Sequence, residues 1–199
     1  MKRSMFIAML AVGIAMFGCA TRQPADAGWI TLLDGSNLDN WNRIGDANWR
    51  IEGGAAVADA GNGYLVSKST YGDFQIRAEF WVDDNANSGV FIRAEDPKKI
   101  GATNAYEVNI FDKRPDPTYG TGAIVDVAKV VPMPKAGGKW NVYEITAKGD
   151  RLIVVLNGVQ TVDVRDGKHA SGAIALQHGA DSVKNTAVVK FRKVQIRPL

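Results

Sequence analysis

The chain has 199 residues, 46% hydrophobic and 23% charged, with 21 Gly and 7 Pro, a balance that fits neither a disordered chain nor a membrane bundle. Its formal charge of +3 includes Lys2 and Arg3; no basic run beyond them exceeds two residues, as in Lys98-Lys99, so charge gives no nucleic-acid footprint. Cys19 is the single cysteine and His169 and His178 the two histidines, which excludes intrachain disulfides, cysteine zinc sites and multi-histidine centres and leaves oxygen ligands for any metal.

Lys2-Arg3 precedes an apolar run over residues 5–17, followed at once by Gly18-Cys19. This is the layout of an export signal, too short for a comfortable spanning helix. A sole cysteine just after the run is the signature of a bacterial lipoprotein, so residues 1–18 are expected to be the signal peptide and Cys19 the lipidated residue. Residues 19–27 are small and polar and read as a flexible tether. A single domain over 28–199 follows, exported and membrane-anchored in the periplasm or at the outer cell surface.

From Trp29 onward, short alternating runs are separated by Gly, Asn and Asp, and no stretch keeps a helical period for three turns. Strands are expected at 49–51, 55–58, 64–68, 74–82, 89–94, 105–111, 140–147, 152–156, 159–164, 172–177 and 187–197. Asn157-Gly158 is the strongest hairpin signal, because a two-residue turn needs positive φ at both positions. So many strands in one domain imply an all-β fold, a two-sheet sandwich of jelly-roll type.

Period-two alternation assigns faces. It buries Phe74, Ile76, Ala78, Phe80 and Val82 and turns Gln75, Arg77, Glu79 and Trp81 outward. It likewise turns out Phe91 and Arg93, then Glu107, Asn109 and Phe111, and then Gln177. If these strands are neighbours, one face mixes guanidinium, carboxylates, amides and rings. A solvated face is the plain reading, but the mixture suits a sugar, whose hydroxyls need donors and acceptors and whose C–H face lies on rings. Trp29, Trp41, Trp49 and Trp140 are expected in the core. His178 could be an acid or base or simply surface, and Asp112 a ligand or a turn residue.

An ordered set of phrases carries a resemblance: Leu32-Leu33-Asp34-Gly35, Tyr71-Gly72-Asp73-Phe74, Asn87-Ser88-Gly89-Val90-Phe91-Ile92-Arg93, Tyr106-Glu107-Val108-Asn109-Ile110-Phe111-Asp112, Thr121-Gly122-Ala123, Trp140-Asn141-Val142-Tyr143-Glu144 and Leu176-Gln177-His178-Gly179. The chain resembles the 3-keto-disaccharide hydrolase family over essentially the whole of 28–199. The resemblance implies a concanavalin A-like (LamG-like) double sheet and cleavage of 3-keto-glycosides by a lyase and hydratase route. Asn109 stands where that family usually has Gln, and Val125-Asp126 where an aromatic is common.

A ketone at C3 acidifies the C2 proton, so a base can remove it and expel the C1 substituent, after which water adds back. This needs a carboxylate base, a cation for the enolate and a proton donor for the leaving oxygen. Glu107 is the expected base, Arg93 the stabiliser, and Glu79 or His178 the acid. Asn109, Gln177, Phe91, Trp81 and Asp112 are the expected sugar contacts. No cofactor is certain; a divalent cation could share the enolate work. A non-catalytic carbohydrate-binding module on the same fold is the alternative, and a surface interaction protein a further one.

Overall fold

The computed structural model describes residues 27–179 and 186–199. The expected signal peptide, Cys19 and residues 19–26 of the tether lie outside the described residues.

Among the described residues thirteen strands run in chain order: β1 (Ile30–Leu33), β2 (Trp41–Gly45), β3 (Arg50–Glu52), β4 (Ala55–Ala58), β5 (Gly63–Tyr71), β6 (Phe74–Val82), β7 (Ser88–Ala94), β8 (Tyr106–Ile110), β9 (Trp140–Lys148), β10 (Arg151–Leu156), β11 (Val159–Arg165), β12 (Gly172–His178) and β13 (Val189–Pro198). One 3-10 turn, η1 (Pro117–Tyr119), interrupts the long β8–β9 connection. All named pairs are antiparallel. An eight-stranded sheet has the order β11-β10-β9-β6-β13-β4-β3 with β1 on β13, and a five-stranded sheet the order β2-β5-β12-β7-β8. The fold is the two-sheet jelly-roll sandwich expected from alternation.

β6 shows why the sheets close on each other. Phe74, Ile76, Ala78, Phe80 and Val82 are all buried while the residues between them are half-exposed, and burial of each large apolar side chain contributes about 1.5–3 kcal/mol. They meet Val90, Ile92, Tyr106, Val108, Ile174 and Leu176 of the five-stranded sheet in one core. The hairpin expected at Asn157-Gly158 is the β10–β11 turn, with φ of 51° and 80°. β1 and β2, each of five residues or fewer, were not expected as strands, because runs that short leave little period to read.

β7 and β12 are buried along their full length. An outer surface that is also buried must be covered. Val66, Phe91, Ala94, Ala105, Ala173 and Ala175 form a second cluster there, with Ile44, Tyr64 and Ile100 packed against it. Further along, residues 119–125 run beside β8: Gly122 N–H donates to Asn109 O, Asn109 N–H to Ala123 O and Val125 N–H to Glu107 O, each at 3.0 Å. The five-stranded sheet thus has a built outer side.

Candidate functional site

The sheet order splits the expected constellation. Glu79 and Trp81 belong to β6, in the eight-stranded sheet, so they face away from Glu107 on the opposite side of the molecule. Glu79 accepts from Arg192 Nε at 2.6 Å, and Lys190 stands 4.9 Å over the Trp81 ring. Alternation assigns a face within a strand, but it does not say to which sheet the strand belongs.

Arg93 is corrected as well. Between Ala173 and Ala175 of β12 the register advances by three residues of β7, from Ala94 to Phe91. This bulge puts Arg93 at φ 54°, and its side chain leaves the outer face. It is 1% exposed and donates to Gly72 O at 2.9 Å, Gly149 O at 2.8 Å, His169 O at 3.0 Å and Asp73 Oδ1 at 3.0 Å. Arg93 therefore ties turns of both sheets together.

His178 points inward, as alternation from Leu176 requires. Its ring nitrogens lie 2.9 Å from Gly61 O and 2.8 Å from Ala187 O, with Trp49 edge-on at 6.5 Å. It is a core histidine. Asp112 is engaged by the loop it anchors, accepting from Thr121 Oγ1 at 2.6 Å and from the N–H groups of Ala136 and Gly137 at 2.9 and 3.0 Å. A carboxylate so bound has little left for a sugar.

What remains on the outer side of the five-stranded sheet is a smaller and different group. Glu107 is half-buried on β8, opposite Phe91. No hydrogen bond from a described residue reaches its carboxyl. Burial raises its pKa from 4.5 to about 7; Arg114 nearby opposes that rise and Asp126 adds to it. Gly89 lies beside it, opposite Asn109. A Cβ there would stand 3.4 Å from both Glu107 Cγ and Phe91 Cε2, so the glycine leaves a shallow floor between carboxyl and ring.

Gln177 flanks that floor from β12, opposite Tyr64 of β5. Its Nε2 donates to Tyr64 Oη at 3.3 Å, and its buried Oε1 has no partner. Burial pushes the Tyr64 phenol above its ordinary range, the bond with Gln177 opposes this, and the Glu107 charge adds to it. Tyr64 packs edge-on against Phe91, centroids 5.5 Å apart. Phe91 is 1% exposed, so it supports the floor from below rather than offering a stacking face.

Asn109 is fully buried. Its Nδ2 donates to Tyr119 O at 2.7 Å, holding residues 119–125 along β8, while its Oδ1 has no partner. Tyr143, reaching through the core, donates to Asn109 O at 2.5 Å and accepts from Gly122 N–H at 2.8 Å. That rim carries Asp126, held at φ 60° in a tight turn where Ala128 N–H donates to Ile124 O at 2.9 Å.

Tyr64, Gly89, Arg114 and Asp126 are the members that alternation around Glu107 did not single out. Tyr64 was readable in principle, since it alternates with Leu65 in a predicted strand. Arg114 and Asp126 sit in an irregular connection that carries no period. Among the described residues no three His, Cys, Asp or Glu side chains gather as a metal centre would need.

The chain is 28% identical over 156 residues to a protein of Bacteroides thetaiotaomicron named 3-keto-disaccharide hydrolase, a match covering 61% of this chain and 53% of the relative; the chain spans about half the length of that relative. A crystal structure of a candidate glycosyl hydrolase from Parabacteroides distasonis superposes with a TM-score of 0.70 at 25% identity, covering 86% of this chain and 99% of the other. A carbohydrate-binding module from Bacillus subtilis shares the fold, with a TM-score of 0.57 at 16% identity over 85% of this chain and 95% of its own. The family model of the 3-keto-alpha-glucoside-1,2-lyase-like domain matches residues 28–197, and with the sandwich and its built outer side in place, the chain belongs to that family.

Proposed function

We propose that the protein is an exported lipoprotein that cleaves 3-keto-glycosides by removal of the C2 proton, elimination at C1 and rehydration. The observation that carries this reading is Glu107: a half-buried carboxyl with a pKa of about 7, beside a floor opened by Gly89 and an unpartnered Gln177 Oε1. A base poised near neutrality holds a proton strongly enough to abstract it and is still ionised in part at the working pH.

The roles follow from position. The Glu107 carboxylate takes the C2 proton, and the electron pair moves into the C2–C3 bond as the C3 ketone becomes an enolate. Arg114, the nearby cation with no ion pair among the described residues, stabilises that oxyanion in the role expected of Arg93. When the enolate collapses, the C1–O bond breaks and the leaving oxygen takes a proton from Tyr64, whose raised pKa keeps it protonated at neutral pH. Water then adds across C1–C2, its hydroxyl going to C1 as its proton returns to the Tyr64 oxygen and Glu107 gives its proton back to C2, so both side chains are restored and the net change is hydrolysis. Gln177 Oε1 accepts from a sugar hydroxyl, filling its empty valence. Asn109, enclosed, positions the rim rather than the sugar.

The fold neighbour that binds carbohydrate supports a second reading, a binding module without turnover. Incubation of the full chain with a panel of oxidised disaccharides, read by mass spectrometry, separates the two. Release of the aglycone with a 3-keto sugar product supports the enzyme, and an intact bound glycoside supports the module. Chelation before the assay should leave turnover unchanged.

A further inference from the structure

The outer side of the eight-stranded sheet carries an arrangement that this chemistry does not use. Of the chain's five tryptophans, Trp41 and Trp49 are buried in the core as expected, whereas Trp29 and Trp140 are not. They lie with Trp81 on this one outer face, half-exposed, Trp140 at 38%. Each ring carries cations: Arg77 at 4.5 Å and Arg197 at 5.1 Å on Trp29, Lys190 at 4.9 Å on Trp81, and Arg192 at 4.2 Å on Trp140. Across β6, β9 and β13 the outward Arg77, Lys148, Lys190, Arg192, Lys193 and Arg197 outnumber the carboxylates Glu79 and Glu144.

Two further observations say what this face meets. Gly28 lies against the Arg197 side chain and Trp29 beneath Arg77 and Arg197, so the segment carrying Cys19 joins the domain on this face. A guanidinium or ammonium group stands over each ring, so a sugar stacking there would meet a cation before it met the ring. Tryptophan interleaved with Arg and Lys is instead the composition of the water–lipid boundary, where rings sit at headgroup level and cations meet lipid phosphates.

We propose that this face rests on an anionic bilayer. Tryptophan rings and basic side chains then add a contact with the bilayer beyond the lipid anchor, and the Glu107 side, on the opposite sheet, is held toward solution. This extends the anchoring proposed above and does not depend on the reaction assigned to Glu107.

The test uses the full chain reconstituted in phosphatidylcholine vesicles with or without phosphatidylglycerol, the lipids brominated near the headgroup. Tryptophan fluorescence should be quenched in the anionic vesicles, and Trp81→Phe with Trp140→Phe should remove most of that quenching. Lys190→Glu with Lys193→Glu should weaken binding to anionic vesicles by roughly tenfold or more, and high salt should act in the same direction. Cleavage of 3-keto-glycosides should be unchanged in both double variants, which separates failure here from failure of the site reading. Equal quenching in neutral and anionic vesicles, or quenching indifferent to the Phe substitutions, would overturn the proposal. So would burial of these rings by a soluble glycan or a second copy of the chain in place of lipid.

Discussion

The two outer faces of the sandwich are built from the same kinds of side chain and put them to opposite use. On the eight-stranded sheet the carboxylates are paired, Glu144 accepting from Arg77 at 2.9 Å, Glu79 from Arg192 at 2.6 Å and Asp163 from Arg151 at 2.7 Å, and the rings are capped by cations. On the five-stranded sheet Glu107 has no hydrogen bond from a described residue, Arg114 no ion pair among them, and Gln177 an orphaned oxygen. A polar group that folding leaves unsatisfied costs stability, so a cluster of them is the better guide to chemistry than a rich mixture of residue types.

The comparison is broken most severely at Arg93, which resembles a site residue by sequence and is a structural tie by geometry. Arg93→Met should destabilise the fold by about 3–5 kcal/mol, since three backbone carbonyls and the Asp73 carboxylate lose their partner. Thermal unfolding reads this directly. A folded variant that loses only turnover would return Arg93 to the site.

The next contrast sets one outer face against the other. Gln177→Ala should lower kcat/KM on a 3-keto-glycoside by roughly tenfold, the value of one hydrogen bond to a substrate hydroxyl. Glu79→Gln should stay within about twofold, because an exposed ion pair contributes little. Steady-state kinetics on the two variants side by side decides it, and equal losses would mean that the faces were misassigned.

How much of this was legible in the sequence divides along the same line. β6 and the β10–β11 hairpin follow from alternation and from Asn157-Gly158, and Glu107 and Gln177 were correctly turned outward. Sheet membership was not legible, since period two is the same in either sheet, and Glu79 and Trp81 were misplaced for that reason. Arg93 was lost to a bulge that no local pattern announces. His178 was open to the same parity argument that buried Leu176, but its chemistry drew it to the surface. Arg114 and Asp126 came together through the fold of a long connection held by Asp112 and Asn109, a tertiary result that no window of sequence contains.

Smaller effects sharpen the electrostatics of the site. The folded-state pKa of Glu107, about 7, lies above its ordinary 4.5, so the folded chain keeps a proton that the unfolded chain releases. That stabilisation is full below about 4.5 and is lost as pH rises through about 7. Glu107→Gln should therefore raise the melting temperature by about 2–4 °C near pH 8, corresponding to roughly 1 kcal/mol after solvent screening, and change it little near pH 4. Asp126→Asn should move the midpoint of the pH–rate profile toward acid and Arg114→Gln toward alkali, because the first removes a charge that raises the Glu107 pKa and the second one that lowers it. Shifts of the same sign in both would contradict the arrangement.

The central claim is that Glu107 removes the C2 proton, and deuterium exchange at C2 of a 3-keto-glycoside in heavy water follows that step alone. Wild-type exchange should rise with pH to a plateau, half-maximal near 7, and Glu107→Gln should slow it by roughly 100-fold or more while leaving the fold intact. Exchange at the wild-type rate in Glu107→Gln would contradict the account and assign the base elsewhere.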